Sequence, residues 1–156
     1  MPTLRQYARN NPTIARMLFR FQVFLIRRNW GGKLGDAAMV ITTTGRKSGR
    51  RRSTPIGYLR DGDSVLAFSY PHHHWYQNVR CKPEAVITIK GRKIPVRVEL
   101  VDDEAGRQRV IEAYQRERPG SFPRMFRLAA DAPLDEVIRA AKVRVFVRFW
   151  PGTPPS

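Results

Sequence analysis

The chain has 156 residues, 42% of them hydrophobic, which suits one domain with a real core and argues against disorder over most of its length. Its formal net charge of +16 points to anionic partners such as phosphates, nucleic acid or an anionic membrane surface. A single cysteine, Cys81, excludes an intrachain disulfide and suits a reducing, cytoplasmic setting.

The charge is concentrated at one end. The first sixty residues carry +12 (13 Lys and Arg less one acid, Asp36), and the remaining 96 carry +4 (16 less 12). The N-terminus does not read as a secretory signal, because Pro2 to Arg9 is polar and no small-residue cleavage site follows an apolar run. Asn11-Pro12 reads as an N-cap followed by a first-turn proline, opening a helix to about Arg28 that stops near Gly31-Gly32. Arg16, Arg20 and Arg27 then fall within roughly 40° of one another, opposite a broad apolar face. Its most apolar part, Met17 to Ile26, is about half the length of a bilayer span.

From Ala37 the pattern changes to short β-like runs. Strands are expected at Ala38 to Thr43, Ser53 to Arg60, Val65 to Tyr70, Ala85 to Lys90, Lys93 to Val101 and Lys142 to Trp150. Asp61-Gly62-Asp63 and Gly91-Arg92 read as tight hairpins. Asp102 is expected to cap a helix over 103–117, and a proline-broken helical stretch should run from Ser121 to about Ala141. The fold class is therefore α+β, mainly β: a barrel of about six antiparallel strands with an N-terminal helix and packed helices. Residues 1–36 form the helical segment, 37–150 the barrel domain and 151–156 a frayed tail.

The densest chemistry lies between the first two strands. Five bases fall within the seven residues Arg46-Lys47-Ser48-Gly49-Arg50-Arg51-Arg52. Gly45 and Gly49 permit an unusual turn, whose N–H groups could point outward together as an anion-binding nest. Thr44 and Ser48 add neutral donors, and Arg46, Lys47 and Arg52 can make charge-assisted bonds to phosphate or carboxylate oxygens. A solvated, edge-protecting charge run is the plain alternative. The turn is not a Walker loop, whose glycine and lysine spacing it lacks.

Other constellations carry less. His72-His73-His74 are adjacent on an extended chain and point to alternate faces, so they do not converge on a metal, and no metal site is expected. Trp75 and Tyr76 could stack on a planar ligand or pack in the core. Cys81 has no His/Asn partner set and reads as structural. Serine-nucleophile, paired-carboxylate and zinc signatures are absent.

The stretch from Val40 to Gly62, with Thr44-Gly-Arg-Lys-Ser-Gly-Arg-Arg-Arg-Ser-Thr-Pro-Ile-Gly57 at its centre, resembles the deazaflavin (F420)-dependent nitroreductase family of actinobacteria. Trp75-Tyr76-Gln77-Asn78-Val79 with Pro83 resembles the same family's Trp-Tyr-x-Asn-Leu motif. The resemblance covers roughly Ala38 to Val101. It implies a split β-barrel that binds coenzyme F420, a deazaflavin with a phospholactyl-polyglutamate tail. By position, Arg46, Lys47, Ser48, Gly49 and Arg52 would grip that tail. Thr54, Pro55, Ile56 and Gly57 would run along the ring and ribityl chain, and Phe68, Ser69, Trp75 and Tyr76 would border the ring. The family passes a hydride from the reduced deazaflavin to quinones, nitroaromatics or related electrophiles, the cofactor carrying the hard chemistry.

This sequence departs from the family twice. The loop Ser69-Tyr-Pro-His-His-His74 is short where many members have Gly-Gly, and Arg118-Pro-Gly-Ser-Phe122 stands where many have Tyr-Pro-x-Tyr. Tyr70, His74 or Tyr114 could replace the lost proton donor. A reductase acting on a small hydrophobic acceptor is one reading. A non-catalytic relative holding a fatty acid or other lipid is a second. A nucleic-acid binder is the third, though no aromatics interleave the basic turn and no recognition pattern appears. The first helix suits peripheral contact with an anionic membrane, and could instead pack on the barrel or across a homodimer.

Overall fold

The computed structural model describes residues 38–152, together with the helical residues Arg16, Arg20 and Val23. The rest of the expected N-terminal helix, its membrane-surface role and residues 153–156 lie outside the described residues. Among those described, no helix is long and apolar enough to cross a membrane.

Alternating β-branched and polar residues build a seven-stranded antiparallel sheet. In chain order its strands are β1 (Ala38–Thr44), β2 (Arg51–Gly57), β3 (Leu59–Asp61), β4 (Ser64–Ser69), β5 (Glu84–Ile89), β6 (Arg92–Val101) and β7 (Val145–Pro151). Helix α1 (His74–Cys81) interrupts the strands between β4 and β5. Helices α2 (Glu104–Glu117), α3 (Ser121–Arg124) and α4 (Leu134–Ala140) lie between β6 and β7, and a 3-10 turn (Ala141–Val143) follows α4.

The spatial order is β2-β1-β5-β6-β7-β4-β3, so the consecutive strands β2 and β3 lie at opposite edges. The chain passes from one edge to the other through Gly57 and Tyr58. That is geometrically possible only because the sheet rolls until β2 meets β4. The expected strand Ser53 to Arg60 is therefore two strands, and the count is seven among the described residues. Tyr58 breaks the run by turning into the interior, where it is buried.

The pleat sorts side chains between two cores. The concave face gathers Met39, Ile41, Val65, Ala67, Ile87, Val96, Val98, Val147 and Phe149, with Trp75, Tyr76 and Val79 of α1 plugging the roll. The convex face of β4, β7 and β6 is covered by α2, α3 and α4 through Leu66, Val101, Val110, Ile111, Tyr114, Phe122, Val137 and Phe146. Burial of this kind contributes about 25 cal/mol per Å² of apolar surface and dominates the stability.

Local boundaries shift for identifiable reasons. The β5–β6 turn is Lys90-Gly91, one residue earlier than expected, with both φ values positive (48° and 78°) as a type I′ turn requires. The α2 cap is Asp103, not Asp102: its Oδ2 accepts from the Gly106 N–H at 2.7 Å. The helical stretch after Ser121 breaks into α3 and α4. Strand β7 begins at Val145 and runs to Pro151, and the Gly152 N–H donates to the Pro95 carbonyl at 3.0 Å.

Candidate active site

The basic turn is tight and closed. The Gly45 N–H donates to the Arg50 carbonyl (2.8 Å), the Gly49 N–H to the Gly45 carbonyl (2.8 Å) and the Arg50 N–H to the Ser48 hydroxyl (3.2 Å). Gly45 has no room for a side chain, since an added Cβ would lie 2.7 Å from Ser48 Oγ. Gly49 takes φ +67°, a left-handed value that costs glycine nothing. The expected nest of outward N–H groups is thus largely spent inside the turn. Of its amides, those of Lys47 and Ser48 at the tip are not engaged in these bonds. An anion held here would therefore meet mainly side chains.

Those side chains are well disposed for it. Arg46, Lys47, Ser48, Arg50, Arg51 and Arg52 are exposed, and no acidic residue occurs between Ala37 and Arg60. Arg46 is fixed from below. Its backbone N–H and its guanidinium both donate to Oδ1 of Asn78, at 3.1 and 3.3 Å. Asn78 is 4% exposed and donates through Nδ2 to Thr43 Oγ1 at 2.9 Å. One buried amide on α1 therefore binds both the end of β1 and the first residue of the turn. Asn78 was visible in the Trp-Tyr-x-Asn motif, but nothing in the sequence assigns its partners, 32 and 35 residues away.

The residues expected along the ring divide between faces. By register with β1, Arg52, Thr54 and Ile56 stand on the concave face opposite Thr43, Ile41 and Met39. Pro55 alternates onto the convex face and Gly57 is exposed, so Thr54 to Gly57 do not form one continuous wall. Ser69 is concave and buried. Phe68 is not beside it: it points to the convex core, with its ring edge-on to Tyr114 (centroids 5.2 Å) and Phe122 (5.7 Å). Trp75 and Tyr76 are 4% and 5% exposed and belong to the concave core, a packed floor with no open stacking face. Burial first, then the Asp102 carboxylate, raises the Tyr76 phenol above its ordinary range.

The loop from β4 to α1 forms the other side. Ser69 Oγ and His73 Nδ1 are 2.5 Å apart. Tyr70 is stacked on His72 (5.4 Å) and capped by the Arg144 guanidinium, 3.7 Å from its ring centroid. Arg144 Nε is buried and makes no hydrogen bond among the described residues. Burial first, then the neighbouring His72, Arg144 and His74 charges, holds the His73 imidazole below its ordinary value of 6.5. The His72 and His73 rings contact each other (4.9 Å) and Tyr70, and no group of metal-ligating side chains occurs among the described residues. His74 is exposed at the start of α1. Tyr114 is removed from the proton-donor candidates. Its hydroxyl donates to the Leu66 carbonyl (3.1 Å) deep in the convex core, where burial raises its pKa far above the ordinary value.

The rolled sheet with α1 plugged into it is a split β-barrel. Similar architecture occurs in an F420-H2-dependent reductase (TM-score 0.51, 19% identity, 72% of this chain and 93% of that one). It occurs also in a FAD-binding protein from Mesorhizobium loti (0.53, 15%, 85% and 89%). A third is a protein titled as a 5-nitroimidazole antibiotic resistance protein from Bacteroides thetaiotaomicron (0.55, 12%, 77% and 76%). At these identities the likeness concerns the fold alone. The sequence profile of the F420H(2)-dependent quinone reductases matches residues 18–127. The chain belongs to that family, an oxidoreductase family whose cofactor is coenzyme F420.

The exposed cations of the turn fit such a cofactor. A fixed Arg46 with Lys47, Arg52 and the Ser48 hydroxyl supplies charge-assisted donors for an anionic tail, with no carboxylate in the turn to oppose it.

Proposed function

We propose that this protein transfers a hydride from reduced coenzyme F420 to a small hydrophobic electrophile, a quinone first and nitroaromatics as secondary acceptors. The observation that carries the reading is the Asn78 junction, which ties the anion-gripping turn to the helix bearing Trp75 and Tyr76. A cation cluster that merely solvated an edge would have no need of a buried anchor.

When bound, the cofactor supplies the hydride chemistry. Arg46, Lys47, Ser48 and Arg52 hold the tail, with Gly49 shaping the turn. Thr54 and Ile56 line the concave side of β2, and Ser69 closes the far side of the mouth. Trp75 and Tyr76 support the site from beneath and exclude water. A quinone reduced to its hydroquinone gains one hydride and one proton. Tyr70 and His74 are the groups retained for that proton, because Tyr114 is committed elsewhere. The hydrophobic acceptor would enter between the β4–α1 loop and β2.

Titration of the purified protein with oxidised F420, followed by its fluorescence, tests the reading. Micromolar or tighter binding that weakens with added salt and with R46A supports it. No binding at low salt would overturn it, and turnover with menadione as acceptor would complete the assignment.

A further inference from the structure

The two stretches in which the sequence departs from its family are far apart in the chain, yet they meet around one side chain. The first is the β4–α1 loop, and Tyr70 of that loop has the Arg144 guanidinium 3.7 Å from its ring centroid. The second is Arg118–Phe122. The Phe122 ring stands edge-on to Phe126 at 5.1 Å, and Phe126 lies 5.5 Å from the same guanidinium. Phe68, on β4, is also 5.5 Å from it. Three rings from two segments therefore share one cation.

Arg144 is itself firmly placed. The Ala141 carbonyl accepts from the Arg144 N–H and from Arg107 Nη2, both at 3.0 Å, and Ala141 is fully buried. One residue further on, Val145 pairs with Ser69 in the β4–β7 ladder. The guanidinium thus projects from a buried turn at a strand end. Its Nε is buried without a hydrogen bond among the described residues. Removing a charged donor from water is costly, and here the aromatic faces offset that cost.

Tyr70 belongs to a less anchored segment. The hydrogen bonds of its loop are local: His73 N–H to the Tyr70 carbonyl (3.1 Å), Ser69 with His73 (2.5 Å) and Gln77 Nε2 to the Pro71 carbonyl (2.5 Å). Arg144 reaches the loop from the far side of α2, α3 and α4 in the chain. The loop has two sides. Ser69 is buried toward the concave face, whereas Tyr70 lies on the side of Phe68 and the convex core. A hold on Tyr70 from the convex side therefore sets how the concave side is presented.

We propose that Arg144 is a positioning residue for the electron acceptor. By bridging the Tyr70 and Phe126 rings, it holds the β4–α1 loop in the shape that closes the far side of the mouth. It touches neither cofactor nor acceptor. The acceptor role rests on the reductase proposed above; the clamp does not, because it is read in the cofactor-free chain.

Hydrogen exchange at the His73 amide reads the clamp, since its bond to the Tyr70 carbonyl closes the loop. R144M removes the charge at similar length and should speed that exchange by about tenfold. Y70L should do the same, and Y70F, which keeps the ring, should not. R144K keeps a cation without its plane and should fall between. Amides of the buried strand β5 should exchange as in the wild type, which separates loop release from unfolding. With reduced F420 in steady state, R144M should raise the KM for menadione about fivefold, leaving kcat and F420 affinity within about twofold. Should R144M fail to fold, R144K and the Tyr70 pair carry the same test. Unchanged His73 exchange overturns the clamp. Faster exchange with an unaltered KM overturns the positioning role, as does a raised KM matched by equally weakened F420 binding. A wild-type chain that shows the clamp but reduces no quinone sinks the reductase and the positioning role together, with the clamp still standing.

Discussion

The two ends of α1 are anchored differently. At its C-terminal half, buried Asn78 joins the helix to β1 and the basic turn through three hydrogen bonds spanning 32 to 35 residues. At its N-terminus, the β4–α1 loop is held by a contact only four residues long, Ser69 to His73, and by Arg144 resting on Tyr70. Buried hydrogen bonds to distant chain fix a position with the cooperativity of the whole fold, whereas the loop's long-range tie is the contact of Arg144 with the Tyr70 ring. The turn side is therefore tied to distant strands by buried hydrogen bonds, and the β4–α1 loop by ring contacts and short-range bonds. The departures expected from the sequence resemblance lie in the His-rich loop and the Arg118–Phe122 segment, and none in the basic turn.

The sharpest way to break this contrast is Asn78→Ala. It strips partners from the Arg46 amide and the buried Thr43 hydroxyl together, and should cost about 2–3 kcal/mol of stability by urea unfolding. A change within about 0.5 kcal/mol would mean that the junction is ornamental. Next in size is Arg46→Ala. Losing one charge-assisted contact should weaken F420 binding by about tenfold or more, with kcat at saturation retained. A fall in kcat at unchanged affinity would move Arg46 from the grip to the chemistry.

Tyr114→Phe separates packing from catalysis. It leaves the Leu66 carbonyl without its donor and should cost about 1 kcal/mol, with quinone turnover unaltered. Loss of turnover in a folded variant would restore Tyr114 as a proton donor.

The smallest effect concerns the loop. His73 binds its proton less readily when folded than unfolded, so the unfolded chain takes up more protons below about pH 6.5. Stability contributed by the neutral imidazole is present above that pH and is lost as pH falls through the lower folded value. Melting temperatures measured from pH 8 to 5 should decline slightly less in His73→Gln than in the wild type. Parallel declines would show that the loop does not sense its own protonation.

How far the sequence foretold these features depends on the range of the interactions. The strands of the hairpins were legible because alternation and turn residues are local: β1, β5 and β6 lie within a residue or two of expectation. The split of β2 from β3 was not, because the one bend signal there, Gly57, does not reveal that the chain leaves one sheet edge for the other. The interruption comes from the need to join opposite edges of a rolled sheet. Phe68 and Ser69 could not be sorted between faces until the neighbouring strands fixed which face was concave. The turn's cations were obvious, but its closed backbone bonding was not. What the structure adds to the charge run is a buried partner, Asn78, for its first residue, Arg46. Tyr114 looked available because a helical position does not reveal that its hydroxyl reaches a carbonyl on β4.

A double-mutant cycle between Arg46 and Asn78, read by F420 titration, tests the junction most directly. If the buried amide acts by holding the guanidinium, Asn78→Ala should weaken binding in the wild-type background and add little once Arg46 is alanine. Fully additive losses would contradict it, showing that the two residues meet the cofactor independently or that Asn78 matters only for folding.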